Sequence, residues 1–203
     1  MSVITISRLM GAGGKTLGEA IAKTLSYDFI HNELIQMVAE EAKTSADVVT
    51  AIEQKAHGKL RSYLTSLVPK TFSERLSSGQ AEFIGEEIYV DALKKILRHV
   101  ASEGNVVILG RGSQFVLQNE PDTYHVLLTA SMEYRIKFLE THYHLDSLEA
   151  QKTISYETKR RANLYRTFGF NRYDAPSNYH MVCNMDRLTP EQAVDEVCCL
   201  AQG

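Results

Sequence analysis

Residues 11–16 read Gly-Ala-Gly-Gly-Lys-Thr, between the β-branched run 3–6 and the helix-like stretch 15–25. Glycines at a strand-to-helix turn let successive N–H groups converge. The helix N-terminus adds amides without partners, so Gly11, Ala12, Gly13 and Gly14 form a candidate anion cradle. Lys15 adds a cation, and Thr16 adds a hydroxyl suited to Mg²⁺ or a phosphate oxygen. The standard phosphate-loop spacing, Gly, four residues, then Gly-Lys-Ser/Thr, asks for glycine at position 9, where this chain has Leu9. Two other places carry fixed positive charge. Arg111 follows the apolar stretch 105–110, so its planar fork stands where a phosphate can be clamped. Residues 159–166, Lys-Arg-Arg-Ala-Asn-Leu-Tyr-Arg, form the densest basic patch, with Arg161 and Arg166 as candidates to neutralise a transferring phosphoryl group. The chemistry these residues suit is phosphate binding and transfer.

Such residues need a frame that brings them to one edge. Buried strands are expected at 27–30, 105–110, 123–130 and 179–184, in addition to the first run. Helical patterns occupy 15–25, 32–43, 45–56, 80–103, 131–143, 147–168 and 190–201. Capping residues support several: Asn32 before an acidic turn, Ser131 before Glu133, and Thr189-Pro190-Glu191. Strand alternating with helix implies an α/β fold, a mostly parallel sheet covered on both faces. Ligands then bind beyond the carboxyl ends of the strands, where the glycine loop and Arg111 are delivered. One domain is expected, with a core of 1–31 and 104–203, a helical substrate lobe over about 32–103, and a lid over about 155–176.

Composition narrows the classes. A net charge of −3 supplies no global basic field, so neither nucleic acid nor membrane is an expected partner. No run approaches the roughly 18 apolar residues of a membrane span, and no secretory leader is seen, which points to a cytoplasmic protein. Cys183, Cys198 and Cys199 make no disulfide framework or metal-ligand set, and buried free thiols are expected.

Residues 3–35 and 105–199, with Gly110-Arg111 and the arginines of 159–166 in order, resemble the cytidylate-kinase-like family of P-loop proteins. The resemblance implies a P-loop kinase fold with a five-stranded parallel sheet, an NMP-binding lobe and an arginine-bearing lid. It also implies transfer of the ATP γ-phosphate to CMP or dCMP with Mg²⁺. Lys15, Arg161 and Arg166 would be catalytic, Gly11 to Thr16 would hold the nucleotide, Thr16 the metal, and His31 and Arg111 the acceptor. The chain departs from that pattern at four places. Nucleoside monophosphate kinases typically carry Gly-x-Gly-Lys-Gly-Thr, so Gly14 and Lys15 are exchanged here. His31, Gly112 and Thr158 stand where the family commonly has aspartate. These departures keep open a nucleotide-binding regulatory protein, or a kinase for another small phosphorylated acceptor. Oligomeric state stays open.

Overall fold

The computed structural model describes residues 2–31, 37 and 81–203. Among these, five strands pair side by side in parallel, in the order β2-β3-β1-β4-β5. They are β1 (Val3–Arg8), β2 (Asp28–Ile30), β3 (Val106–Leu109), β4 (Thr123–Thr129) and β5 (Met181–Asn184). The helices are α1 (Gly14–Leu25), α2 (Ala81–Glu103), the short α3 (Ser113–Val116), α4 (Met132–Tyr143), α5 (Ser147–Thr167) and α6 (Pro190–Gln202). This is the parallel α/β sheet that the alternating pattern implied, with the five strands of the P-loop kinase fold that the resemblance implied. Four strands are shorter by one or two residues than the apolar runs, and β1 extends two residues past its run 3–6.

Local chemistry sets the helix starts. Ser131 caps α4 by accepting the Tyr134 N–H, and Asp146 and Thr189 close reciprocal capping boxes with Glu149 and Gln192. The Asn32 cap and the helices 32–43 and 45–56 lie outside the described residues. Of the stretch assigned to a substrate lobe, α2 is described, and it is core: Leu93 and Leu97 are fully buried with Val106, Ile108 and Val3. On the opposite face, Ile4, Ile6, Val107, Leu109, Val126 and Leu128 pack under Leu17 and Ile21 of α1 and Val197 of α6.

β1 occupies the centre, paired with β3 at Thr5↔Ile108 and with β4 at Thr5↔His125. The chain leaves β1 toward α1 on one face and leaves the adjacent β3 toward α3 on the other. That divergence opens the crevice in which open α/β sheets bind ligands. Of the thiols, Cys183 and Cys198 are buried and Cys199 is exposed, so the expectation of three buried cysteines fails at Cys199. It fails because Cys199 falls one residue off the apolar stripe of α6. No described helix is long and apolar enough to cross a membrane.

Candidate active site

The loop between β1 and α1 presents backbone rather than side chains. Gly13 caps α1 at φ 80°, ψ 16°, a left-handed conformation that glycine adopts without penalty. The first helical hydrogen bond runs from Leu17 N–H to the Gly13 carbonyl at 3.0 Å. The amides of Gly14, Lys15 and Thr16 therefore precede the ladder and have no intrahelical acceptor. They are a place for an anion. Gly11 makes room in another way, since a Cβ there would sit 2.7 Å from the Arg135 carbonyl oxygen of α4. Ala12 shapes the loop from below. Its side chain is in the core, and its N–H donates to the Leu9 carbonyl at 3.1 Å, so that amide does not face the crevice. Lys15 borders the crevice, but its side chain is 54% exposed and lies 3.7 Å from Glu19, one turn along the helix surface.

Across the crevice, β3 ends in Gly110, Arg111 and Gly112, all with positive φ, and the Gly110 N–H donates to the Ile6 carbonyl of β1 at 2.9 Å. Two facts explain why glycine stands at 112, where an aspartate was the expected residue. Its φ is 70°, and an added Cβ would lie 3.0 Å from the Phe168 ring. Arg111 borders the crevice with His31, the residue just past β2. Burial first, and then the guanidinium groups of Arg160 and Arg8, together push Arg111 down to about 9, with Glu157 opposing them.

The third wall is α5. Its crevice face carries Glu157, Thr158, Arg160, Arg161, Leu164 and Tyr165, at helical i, i+3, i+4 and i+7 spacing. Arg161 is held from three sides. It pairs with both carboxylate oxygens of Asp174, donates to Ser7 Oγ at 2.9 Å, and lies 4.9 Å and 5.1 Å from the ring centroids of Tyr165 and Tyr173. Burial alone lowers its pKa, but Tyr165 and Asp174 outweigh that and raise it. Ser7 and Gln114 also bond the Tyr165 hydroxyl, at 3.0 and 3.2 Å. Arg166 does not join them: it is exposed, bonded to Asn163 at 3.1 Å, and away from the crevice. Five residues past Arg161 corresponds to a rotation of roughly 140°, which turns it off the face. Arg160 takes the place expected of it, with Nη1 3.2 Å from both Glu157 oxygens.

The walls enclose a cavity of about 320 Å³. Arg8, Arg111, Arg160 and Arg161 line it, and Glu157 is the one carboxylate among the described lining residues. Unpartnered amides and several guanidinium groups lining one small space have the chemistry that suits a polyanion. Residues 3–187 match a model of the Cytidylate kinase-like family. The chain belongs to that family.

Solved structures agree on the fold. An uncharacterized protein from Eubacterium ventriosum ATCC 27560 superposes with a TM-score of 0.70 at 14% identity, covering 99% of this chain and 98% of that one. A shikimate kinase from Bacteroides thetaiotaomicron gives 0.54 at 20% identity, covering 100% and 99%. The sequence has no significant match among curated proteins. In this cytidylate kinase-like chain, the sequence-predicted residues Gly11, Gly13, Gly14, Lys15, Thr16, His31, Arg111 and Arg161 share one cavity. Sequence reasoning missed Arg8, Glu157 and Asp174. Glu157 and Arg160 were legible from helical spacing to Arg161 and Tyr165. Asp174 lies in a loop, with no periodicity to announce it.

Proposed function

We propose that this protein is an ATP-dependent kinase whose acceptor is a nucleoside monophosphate, CMP or dCMP in the first instance. The observation that carries the reading is the placing of unpaired α1 amides opposite Arg111, Arg160 and Arg161 in one cavity. In this reading the donor phosphates rest on the amides of Gly14, Lys15 and Thr16, and Arg111 holds the acceptor phosphate. An acceptor oxygen attacks the γ-phosphorus in line as the bond to the bridging oxygen of ADP breaks. The protein contributes positioning and charge stabilisation rather than covalent chemistry. Mg²⁺ fits this residue set. The Thr16 hydroxyl borders the cavity, and a magnesium ion takes its other ligands from phosphates and water, which suits a lining with one carboxylate. Bound there, it would neutralise developing charge on the phosphates.

The partners are thus a nucleotide donor and a small phosphorylated acceptor. A cytoplasmic location goes with that reading, since both substrates are metabolites of that compartment. Lys15 pairing with Glu19 favours a second reading, a module that binds nucleotide without transfer. One assay separates the two: ADP formation across CMP, dCMP, UMP, AMP and GMP, beside calorimetric ATP binding. Turnover with CMP or dCMP is the expected result. Turnover with a different acceptor alone redirects the substrate, and ATP binding without acceptor-dependent turnover selects the binding module.

A further inference from the structure

Arg8, the last residue of β1, runs through a gap that two glycines leave. A Cβ built on Gly14 would lie 2.8 Å from Arg8 Cγ and 3.2 Å from its Cβ and Cδ. A Cβ on Gly110 would run into Arg8 Nη1. The stem therefore lies against the first turn of α1, and the tip reaches the end of β3 on the far side of the crevice. The arginine itself is one of the cavity's lining residues.

A side chain at position 14 and the arginine at position 8 claim the same volume. In the register of nucleoside monophosphate kinases, position 14 is the lysine's. Here that position is glycine, and the nearest cation to the vacated volume belongs to Arg8. Its surroundings leave its charge unbalanced. Burial, Arg161 and Arg160 disfavour the cation, and Tyr165 and Glu157 offset them only in part. Glu157 is already bonded to Arg160, and no carboxylate among the described residues hydrogen-bonds Arg8. A polyphosphate on the α1 amides would bring the missing negative charge to within reach of the guanidinium.

We propose that Arg8 is a donor-phosphate-binding residue, the cation that this loop uses in place of a lysine at position 14. The proposal rests on the reading of the cavity as an ATP site, and the experiment separates the two. Calorimetry with ATP, and with adenosine as the probe lacking phosphates, is run on the unaltered chain, Arg8→Ala and Arg8→Lys. Folding is checked by circular dichroism. A lost charge-assisted hydrogen bond predicts ATP affinity about 10- to 100-fold weaker in Arg8→Ala, with adenosine affinity unchanged and Arg8→Lys recovering part of the loss. A merely structural arginine would move both ligands together, and that outcome overturns the proposal. So does a folded Arg8→Ala that binds ATP like the unaltered chain, while leaving the ATP-site reading intact. An unaltered chain that binds no ATP removes both. If Arg8→Ala does not fold, the double variant Arg8→Gly with Gly14→Lys takes its place. ATP affinity within about tenfold of the unaltered chain then supports the proposal, and a larger loss overturns it.

Discussion

The two faces of the sheet solve different problems. Under α1 and α6 the packed cluster is apolar, with Ile4, Ile6, Val107, Leu109, Val126 and Leu128 buried together, and Arg8 at the end of β1 brings a charge against α1. Under α2, α3 and α5 the same strands bury Thr5, Ser7 and His125 beside Val3, Val106 and Ile108. Directional bonds tie several of these groups together: Thr5 Oγ1 meets His125 Nδ1 at 2.7 Å, and Ser7 meets both Tyr165 and Arg161. His125 Nε2 and Ser113 Oγ are buried without a hydrogen-bond partner among the described residues. The apolar face needs only shape to hold a loop whose working parts are backbone amides. Placing a guanidinium needs directional bonds, and the polar face supplies them at the cost of desolvating hydroxyls, an imidazole and a cation.

The strongest attack on the first face leaves the core alone and changes the loop. Gly13→Val puts a β-branched residue at φ 80°, with its Cβ 3.3 Å from the Phe138 ring. Nucleotide affinity should fall about 100-fold or more, because the cap that aims the α1 amides must move. Circular dichroism should still report a folded chain, since Gly13 is outside the packed cluster. Unchanged ATP affinity in calorimetry would mean that the loop is not a phosphate cradle.

On the polar face the corresponding attack is Arg161→Ala. It removes a cation that Asp174 and Ser7 hold over the crevice. Turnover should drop about 10²- to 10³-fold, with a smaller effect on ATP affinity, because charge at the transferring group matters most in the transition state. Asp174→Asn should lower turnover less, since the arginine stays but is poorly held. Steady-state kinetics on both variants check the order. Equal losses in the two would make Asp174 more than a positioning residue.

What the sequence disclosed follows this division. Apolar runs give the strands, and helical periodicity gives the helices, so the sheet and the α1 cradle were legible. The residues that aim charge were less so. Arg161 and Arg166 stand out in the densest basic patch, but the angle around the helix turns Arg166 off the crevice face and puts Arg160 on it. Arg8 reads as the polar end of a strand until the neighbouring glycines show where its side chain goes. Asp174 and Arg161 lie far enough apart in sequence that only the folded chain joins them. Gly112 looked like a lost aspartate, whereas its backbone angle and the Phe168 ring call for glycine.

The polar face also predicts a pH dependence that the apolar face lacks. Burial, and then the neighbouring His180, push His125 down to about 4. The folded state therefore prefers neutral imidazole. Stability should be full above an unfolded value near 6.5 and fall as pH drops toward 4, by about 3 kcal/mol at most. Urea midpoints between pH 4.5 and 7.5 measure this, and His125→Gln should flatten the acid limb. Removing one hydroxyl is a gentler change. Tyr165→Phe forfeits the bonds from Ser7 and Gln114 and should cost about 1–2 kcal/mol in urea unfolding.

The smallest effect is expected at the residue that the loop's sequence makes most conspicuous. Lys15 sits in the first turn of α1, half-exposed, with its ammonium near Glu19 rather than over the crevice. An exposed i,i+4 pair contributes a few tenths of a kcal/mol, so Lys15→Ala should leave the thermal midpoint nearly unchanged. Turnover should fall by no more than about threefold if, as proposed, arginines supply the charge on the transferring group. In the register of nucleoside monophosphate kinases a lysine would stand at Gly14, and Arg8 already fills the space it would need. A loss of 100-fold or more in Lys15→Ala, with ATP affinity retained, would show that the lysine swings from Glu19 to the transferring group. The cation would then come from the loop, and the division between a face that shapes backbone and a face that aims charge would fail at this residue.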